Sequence, residues 1–439
     1  MQSRLAAACA FVAAALAGCD LFVGESEGPP LPGERISVLS LGRQLVPDPD
    51  LASLEVRLPP PYLNADWPQA GGFTSHAMHH LQAPESLNRA WTADIGEGGS
   101  GERFLLSEPI VAAGRVFTMD AGATVKALDV GSGKEIWSVD LTPEDEDDGY
   151  FGGGLAYDDG RVIASTMFGI VYGLDAASGA EFWRELLQVP MRAPPAVSGG
   201  RAFAVTLDNQ LFALAAEDGR RLWSHAAIAE DAGLLGGAAP AVVGDTVIGA
   251  FSSGEIVALR VETGRVLWSE SLAGVTRGDA IATLADVRGE PVVDRELVLA
   301  VSNSGTMSAI DLSRGNRVWT SSIASTQTPW VAGDFVFVIS NEAELVCLTR
   351  EDGRIKWVTG LPRFEDEEAR ENPIVWSGPM LAGDRLIVTG SSGEAFSISP
   401  YTGEIIGRME LSSRAHLPPI AAGDTIYILT DDAALTALR

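Results

Sequence analysis

Apolar and polar residues alternate along most of this chain in runs of five or six positions, and a turn signal follows most runs. Stretches such as Arg115-Val-Phe-Thr-Met119 and Thr124-Val-Lys-Ala-Leu-Asp129 have the two-residue period of strands with one buried face. Pairs such as Gly114-Arg115 and Gly423-Asp424 mark the turns, because glycine supplies the positive φ angle that tight hairpins need. The pattern predicts an all-β protein.

A longer pattern repeats on top of the first: a glycine followed four positions later by a tryptophan. Neighbouring copies place their tryptophans 38 to 51 residues apart. The copies are Gly133/Trp137, Gly179/Trp183, Gly219/Trp223, Gly264/Trp268, Gly315/Trp319 and Gly353/Trp357. A further copy begins at Gly403 but has Gly407 where the tryptophan is expected. A period in the forties with several strand-sized runs is typical of a β-propeller.

The two ends of the repeated region complete each other. The last repeat ends with Ala434-Leu-Thr-Ala-Leu438 and contains only three strand-like runs. Near the start, Asn88 to Ile95 has the form of an outermost strand, with Trp91, but no three strands precede it. Pairing these segments completes a blade and removes an open sheet edge. We therefore predict, over residues 65–439, an eight-bladed propeller of four-stranded antiparallel blades, closed by its N-terminal strand.

The tryptophans of the repeats are expected to be structural, because each large ring can bury its surface between adjacent blades. These residues are Trp91, Trp137, Trp183, Trp223, Trp268, Trp319 and Trp357. The junction beside Gly407 lacks such a ring, so we expect it to be weaker or to be filled from elsewhere.

The first residues predict export. Arg4 precedes an apolar run from Leu5 to Ala17, which is too short to span a bilayer and is typical of a signal peptide. The sequence Leu16-Ala17-Gly18-Cys19 resembles the lipobox of bacterial lipoproteins. That resemblance implies removal of residues 1–18 and acylation of Cys19, which would anchor the protein to a membrane. In enteric bacteria an aspartate at the position of Asp20 directs retention in the inner membrane, so inner and outer membrane both stay open.

Residues 19–64 are predicted to be a flexible tether. Proline-rich stretches such as Gly28-Pro-Pro-Leu-Pro32 and Pro59-Pro-Pro61 disfavour helices and sheet ladders. The apolar stretch Ile36 to Leu41 interrupts this segment. Whether it docks on the propeller or on a partner is left open by the sequence.

Charge and cysteine content exclude several function classes. The chain has 59 acidic and 31 basic residues and a net charge of −28, which argues against nucleic acid or an anionic membrane surface as the main partner. Besides Cys9 in the signal peptide and Cys19, only Cys347 is present, in an apolar strand-like run. We expect neither an internal disulfide nor a reactive thiol.

The repeat Ala127-Leu-Asp129-Val-Gly-Ser-Gly133-Lys-Glu-Ile-Trp137 resembles the tryptophan-docking repeat of quinoprotein-like propellers. That resemblance is specific for the fold and not for the cofactor. Together with the lipobox, the blade count and Asp66-Trp-Pro-Gln-Ala-Gly-Gly72, it makes the chain similar to the BamB family. These lipoproteins are subunits of the machinery that inserts β-barrel proteins into the bacterial outer membrane.

The resemblance implies a non-enzymatic adaptor, without a cofactor, on the periplasmic face of the outer membrane. Its implied partners are BamA, the central barrel subunit, and other subunits of the assembly complex. It also implies a role in the folding and insertion of outer-membrane proteins. Whether unfolded client proteins bind it directly is left open.

Four of the links that join the outermost strand of one blade to the innermost strand of the next are long. In a propeller these links emerge on one face, and such loops commonly carry binding residues. The long links are Thr142–Gly152, Ala226–Gly237, Ala273–Gly289 and Pro362–Trp376.

Family resemblance assigns partner binding to two of these links. In the first, Leu234 matches a family leucine that contacts BamA, whereas Leu235 replaces a basic family residue. In the second, Asp286 matches a family aspartate, whereas Arg288 replaces another. The alternatives are a leucine pair tucked under its own loop and an Asp286 that is an ordinary solvated or turn-capping acid.

Two other functions stay open at this point: a quinone-dependent periplasmic dehydrogenase, and a scaffold of a different periplasmic complex. The first is disfavoured because the chain has no adjacent cysteine pair. No metal site is predicted: we expect His76, His79 and His80 to belong to a loop that caps the propeller. The acidic runs Glu144–Asp148 and Glu365–Glu368 lack the alternating ligands of a calcium loop and are expected to be a solvated rim.

Overall fold

Short β-strands make up almost all regular structure of the protein. The computed structural model describes residues 45–100, 104–146, 152–230, 232–274 and 284–439. Besides the strands, these residues contain one 3-10 turn at Pro49–Leu51. Nowhere in this part of the chain does a helix have the length and apolar character that a membrane crossing requires. The predicted signal peptide, Cys19 and the Ile36–Leu41 stretch lie outside the described residues.

Eight four-stranded antiparallel sheets form the blades, and within each blade consecutive strands are neighbours. Blade 1 contains β2 (Ile110–Ala112), β3 (Arg115–Met119), β4 (Thr124–Asp129) and β5 (Glu135–Asp140). Blade 2 contains β6 (Gly153–Asp158), β7 (Arg161–Thr166), β8 (Ile170–Asp175) and β9 (Glu181–Leu186). Blade 3 contains β10 (Ala196–Ser198), β11 (Arg201–Val205), β12 (Gln210–Ala215) and β13 (Arg221–Ala226). Blade 4 contains β14 (Ala241–Val243), β15 (Thr246–Ala250), β16 (Glu255–Arg260) and β17 (Val266–Ser271).

The second half of the ring repeats the same order of strands. Blade 5 contains β18 (Val292–Asp294), β19 (Leu297–Val301), β20 (Met307–Asp311) and β21 (Arg317–Ser321). Blade 6 contains β22 (Trp330–Ala332), β23 (Phe335–Ile339), β24 (Glu344–Thr349) and β25 (Ile355–Gly360). A separate hairpin follows, β26 (Phe364–Asp366) and β27 (Glu371–Pro373). Blade 7 contains β28 (Trp376–Ala382), β29 (Arg385–Gly390), β30 (Glu394–Ile398) and β31 (Ile405–Glu410).

Blade 8 joins the two ends of the chain. It contains β32 (Ile420–Ala422), β33 (Thr425–Leu429), β34 (Ala434–Leu438) and, as its outermost strand, β1 (Arg89–Asp94). Trp91 lies opposite Ala437 in the antiparallel ladder. The prediction of an eight-bladed propeller closed by its N-terminal strand is therefore confirmed.

The register across each blade explains the repeated residue types. In blade 1, Phe117 on the second strand faces Ala127, which faces Trp137 on the outermost strand. The small residue leaves room for the two rings, whose centroids are 5.9 Å apart. In blade 6 the same small position is filled by Cys347. This thiol is buried, and burial raises its pKa well above the usual value, so the expectation of an unreactive packing residue is supported.

Each repeat tryptophan docks against the following blade. Its indole N–H donates a hydrogen bond to a backbone carbonyl in the turn between the third and fourth strands of that blade. The pairs are Trp91–Val130, Trp137–Ala176, Trp183–Ala216, Trp223–Val261, Trp268–Leu312, Trp319–Arg350 and Trp357–Pro400, at 2.8 to 3.2 Å. These contacts join each blade to the next, and the structural role of the tryptophans stays a prediction.

The glycine of each motif lies directly under the ring of the preceding blade. A Cβ atom on Gly179 would come within 2.7 Å of Cε3 of Trp137, and its φ angle of +75° also favours glycine. The glycine and the tryptophan of one repeat therefore serve two different junctions. At Gly407 the ring is missing, and the Arg408 guanidinium lies over the Phe396 ring of the same blade, 4.7 Å from its centroid.

Residues 64–81, which we call the axial segment, contact the innermost region of every blade. Backbone bonds join Trp67 to Val111 of blade 1 in both directions, at 2.7 and 2.8 Å. The other contacts follow the ring in order: Pro68–Tyr157, Gln69–Val197, Thr74–Val242, Ser75–Val293, His79–Trp330, Leu81–Leu381 and Asn64–Gly423. The segment thus closes the propeller axis.

The flexible-tether prediction for residues 19–64 is wrong for the part that the structure describes. Leu51 and Val56 are buried, and the Asp48 N–H donates to the Ile355 carbonyl at 2.8 Å. Lys356 Nζ donates to the Leu51 carbonyl, also at 2.8 Å. Prolines had suggested a solvated coil, but extended proline-containing backbone can also pack when tertiary contacts hold it. Leu45 is the first residue of the compact unit that contains the blades.

A matched pair of glycine substitutions tests the docking of the tryptophans. Gly179→Ala and Gly200→Ala place the same methyl group at φ angles of +75° and +73°, but only Gly179 faces a ring, because nothing lies within 4 Å of an added Cβ at Gly200. We expect Gly200→Ala to cost about 1 kcal/mol of unfolding free energy and Gly179→Ala at least about 1–3 kcal/mol more. Chemical denaturation measures both values, and equal losses would contradict the contact.

Candidate functional site

One face of the ring carries the long links and the turns between second and third strands, and we call it the loop face. An antiparallel blade sends these connections to one side and the other turns, including those at Gly200 and Gly333, to the opposite side, the turn face. Residues 45–63 run over the turn face, where Pro59 contacts Gly333. The hairpin β26–β27 belongs to the link between blades 6 and 7, on the loop face.

The two links predicted to bind a partner are adjacent on the loop face. Link 3–4 joins β13 to β14 and carries Leu234 and Leu235, whereas link 4–5 joins β17 to β18 and carries Asp286 and Arg288. Residues 231 and 275–283 of these links lie outside the described residues. Leu235 is 46% exposed and Leu234 is partly buried.

A buried ion pair fixes both links to blade 3. Asp286 is 0% exposed, and its two carboxylate oxygens lie 3.0 and 2.8 Å from Nη2 of Arg192, which precedes β10. The same carboxylate accepts the Leu234 N–H at 2.7 Å. Arg192 Nε donates in turn to the Gly236 carbonyl at 2.9 Å. Three links are therefore joined through one carboxylate.

Arg288 forms a second connection between the links. Its Nε donates to the Leu235 carbonyl at 2.8 Å, so the backbone of the exposed leucine is held from below. Burial lowers the pKa of this guanidinium, and the nearby Asp286 carboxylate opposes that shift.

The structure changes the expected role of Asp286. It was predicted as a direct partner contact, but its carboxylate is enclosed and bonded on both oxygens. It is also not the solvated acid of the alternative interpretation. In this structure it positions link 3–4, and the exposed group that it positions is Leu235.

Two further exposed apolar side chains lie on the loop face. Ile228 on link 3–4 and Leu207 in the β11–β12 turn are also strongly exposed. The Asn209 side chain joins the two elements by donating to the Ile228 carbonyl at 2.7 Å. Exposed apolar groups on loops that are rigidly held are typical of binding surfaces.

A blind cavity on the propeller axis adjoins these links, and we call it the axial cup. Residues just before the innermost strands form its wall, among them Glu108, Arg192, Gly237, Arg288 and Glu290. Trp67, Gly71 and His76 of the axial segment form its floor. The cavity measures about 100 Å³ and is continuous with solvent. Since its wall is built from loop-face ends of the innermost strands, the cup lies on the loop-face side of the axial segment.

Two carboxyl groups in this cup are strongly perturbed. Burial and the neighbouring Glu290 raise the pKa of Glu108 to about 8, and burial raises the pKa of Glu290 to about 8. The Gly71 N–H and Arg288 oppose the shift at Glu108. Burial lowers the pKa of His76 on the cup floor to about 4, so this imidazole is neutral near pH 7.

The histidine cluster is part of the axial segment, as the predicted capping loop requires. His76 Nδ1 lies 2.9 Å from the Pro291 carbonyl, and His80 Nδ1 lies 2.8 Å from the Pro59 carbonyl. His79 Nε2 is 3.7 Å from the Asp294 carboxylate. Across the described part of the chain, no three His, Cys, Asp or Glu side chains are grouped so as to hold a metal ion.

The structure describes only one of the two acidic runs completely. The run Glu365–Glu368 forms the exposed tip of the β26–β27 hairpin. There Glu367 caps its own turn by accepting the Arg363 N–H at 2.7 Å. The run Glu144–Asp148 lies partly outside the described residues.

Three important residues of this region were not found from the sequence: Arg192, Glu108 and Glu290. Each stands one to four positions before an innermost strand, and this common position is the only signal that the sequence offers. Their partners are distant along the chain, since Arg192 pairs with Asp286 across blades. The ring closure that brings them together is a property of the whole fold.

Comparisons with known proteins agree with this architecture. The family model described as outer membrane protein assembly factor BamB matches residues 121–359 and 365–439. The BamB of Moranella endobia is 24% identical over 356 residues, which cover 80% of this chain and 89% of that protein.

Solved structures show the same fold. The crystal structure of BamB from Moraxella catarrhalis is similar with a TM-score of 0.67 and 21% identity, over 81% of this chain and 100% of that chain. A quinohemoprotein alcohol dehydrogenase from Comamonas testosteroni is similar with a TM-score of 0.66 and 13% identity, over 85% of this chain and 80% of that chain. At these identities the likeness concerns the fold alone.

Removing one partner of the buried ion pair tests how the links are held. We expect Asp286→Ala to lower the unfolding free energy by about 3–5 kcal/mol, because it leaves the Arg192 charge buried and unpaired. The double variant Asp286→Leu with Arg192→Met removes both charges and should recover much of this loss. Chemical denaturation of the three proteins measures the difference. A single variant as stable as the unchanged protein would show that the pair does not support the links.

The acid pair predicts a pH-dependent stability. Because the pKa of Glu290 is about 8 in the folded protein and near the usual 4.5 when unfolded, the folded state holds the proton more tightly. The stabilising contribution is fully present below about pH 4.5 and is lost as the pH rises to about 8. We expect Glu290→Gln to raise the melting temperature at about pH 9 and to leave it nearly unchanged at about pH 4.5. An equal effect at both values would contradict the assignment.

Proposed function

This chain belongs to the family of the outer membrane protein assembly factor BamB, and we propose that it acts as a non-catalytic adaptor in the assembly of outer-membrane proteins. The observation that carries the proposal is the exposed Leu235 on a link that the buried Arg192–Asp286 pair holds in place. An exposed apolar residue on a rigidly held loop is suited to a specific contact with another protein.

We infer that the partner at this surface is the periplasmic region of a BamA-like protein. Leu234 and Leu235 would supply the direct contact, with Ile228 and Leu207 extending it. Asp286 and Arg288 would act indirectly, because their side chains fix the backbone of the two leucines. Buried anchors at the centre of an interface commonly contribute most of its binding energy.

Charge would add selectivity to this contact. Acidic side chains surround the hairpin tip on the loop face, including Glu365, Asp366 and Glu368, all exposed. Such a rim repels acidic proteins and accelerates encounter with basic ones. The free edges of the two-stranded hairpin also offer backbone groups to which a partner strand could be added.

We propose that acylated Cys19 anchors the protein to the periplasmic face of the outer membrane. The described body starts at Leu45, and Asp48 contacts Ile355 on the turn face. The proposed partner surface is on the opposite face.

Substitution of Leu235 tests the proposed contact. Because the aspartate would place a charge at the centre of an apolar interface, we expect Leu235→Asp to reduce co-purification of the BamA-like partner from crosslinked membranes by at least about tenfold. Leu63→Asp is the matched control, since Leu63 is 56% exposed on the turn face. Both variants should melt at the temperature of the unchanged protein. Undiminished recovery of the partner with Leu235→Asp would overturn the assigned surface.

A further inference from the structure

The floor of the axial cup brings three hydrogen-bond acceptors together around Gly71. The Gly71 N–H donates to Oε2 of Glu108 at a long 3.4 Å. A Cβ atom on Gly71 would come within 2.1 Å of Oε2 of Glu290 and within 2.7 Å of Cδ2 of His76. The glycine therefore allows two carboxyl groups and an imidazole edge to approach the same small volume.

The Glu290 carboxyl group has no partner among the described residues. Its backbone N–H is bonded to Thr328, but its side-chain oxygens accept no hydrogen bond there and form no ion pair, although the residue is only 6% exposed. Removing an ionised carboxylate from water costs free energy when no hydrogen bond or opposite charge replaces the water. This carboxyl must either keep a proton or meet a cation.

The third acceptor is Nε2 of His76, which is buried and has no hydrogen-bond partner among the described residues. Its Nδ1 lies 2.9 Å from the Pro291 carbonyl oxygen. Because a carbonyl only accepts, Nδ1 must donate, and the neutral ring then has a lone pair on Nε2. That lone pair belongs to the floor of the cup.

Charges facing the cup set the valence of a complementary ligand. The groups are Glu108, Glu290, Arg288, the Arg192–Asp286 pair, neutral His76, and His416, whose Nδ1 lies 2.7 Å from Asp431. The Arg192–Asp286 pair is balanced internally. With both glutamates ionised, Arg288 offsets one of them and one negative charge is left, which matches a monovalent cation.

Aromatic rings in the lining favour an organic cation over a metal ion. Trp67 and Trp330 both line the cup, and their rings are stacked with centroids 6.4 Å apart. Indole faces attract ammonium and guanidinium groups. These groups also carry several N–H donors that can reach separated acceptors, whereas no metal-binding cluster of three side chains is present in the described part of the chain.

We propose that the axial cup binds a monovalent organic cation, a primary ammonium or guanidinium group, between the carboxylates of Glu108 and Glu290 and Nε2 of His76. The cation takes the place of the protons that these carboxyl groups otherwise hold. The group can arrive on a small molecule or on a lysine or arginine side chain of a partner protein. The proposal does not depend on the partner surface around Leu235.

Calorimetric titration of the full-length protein tests the site. The probes are methylguanidinium, ethylammonium and a capped Gly-Gly-Arg-Gly-Gly peptide, with sodium chloride at equal ionic strength as the blank. Because binding displaces protons from groups with pKa values of about 8, affinity should fall roughly 20-fold for each proton displaced between about pH 8.5 and pH 6.5. Heats in two buffers of different ionisation enthalpy should show proton release. Binding of the free cations alone identifies a small-molecule source, and tighter binding of the peptide identifies a side-chain source.

Variants separate the site from general electrostatic attraction. Glu290→Gln and Glu108→Gln keep the shape of the side chain and should each weaken binding at least tenfold at about pH 8.5. Glu217→Gln removes one charge from an exposed turn of blade 3 and should leave binding unchanged. The inference is overturned if none of the probes binds at millimolar concentration, if the two cup variants bind as well as the unchanged protein, or if only calcium binds.

Discussion

The structure depends on how the inner edges of the eight blades are satisfied. An innermost strand has a sheet neighbour on one side only, so its other edge presents backbone N–H and C=O groups toward the propeller axis. Buried backbone groups without partners are costly. The axial segment supplies partners to these groups at seven blades, from Asn64 at blade 8 to Leu81 at blade 7, and at blade 6 it accepts the indole N–H of Trp330. Its positions are set by the spacing of the strands that it pairs with.

This arrangement also determines what the two faces can do. The axial segment occupies the axis and residues 45–63 cover part of the turn face, so the open end of the axis is on the loop face. The cup and the links around Leu235 consequently share Arg192 and Arg288 as common supports. A ligand in the cup would contact the two guanidinium groups that hold the link carrying Leu235. Occupancy of the cup and the position of the Leu235 backbone can be coupled, because Arg288 interacts with Glu108 and also donates a hydrogen bond to the Leu235 carbonyl.

The fold could be predicted from the sequence because its signals are local and repeated. Each Gly-x-x-x-Trp motif gives a strand, a turn and a docking ring within a few residues, and eight blades followed from counting them. Trp91 and the incomplete last repeat also predicted how the ring of blades closes. By contrast, residues 45–64 are ordered because of tertiary contacts such as the one between Asp48 and Ile355. The amino-acid composition of the segment does not reveal such contacts. Asp286 was assigned to a partner because a buried acid cannot be recognised when its arginine is 94 positions away.

The axial segment and the closing strand have a consequence for biosynthesis. A ribosome makes residues 64–94 before blades 1 to 7, yet their partners Ala421, Gly423 and Ala437 are made after those blades. Asn64 and the strand β1 therefore have no blade 8 to pair with until blades 1 to 7 have been made. A prematurely terminated chain would keep both its inner edges and its leading strand exposed, so incomplete products should be readily distinguished by proteases from finished ones. Completion of blade 8, and no earlier event, makes the ring resistant.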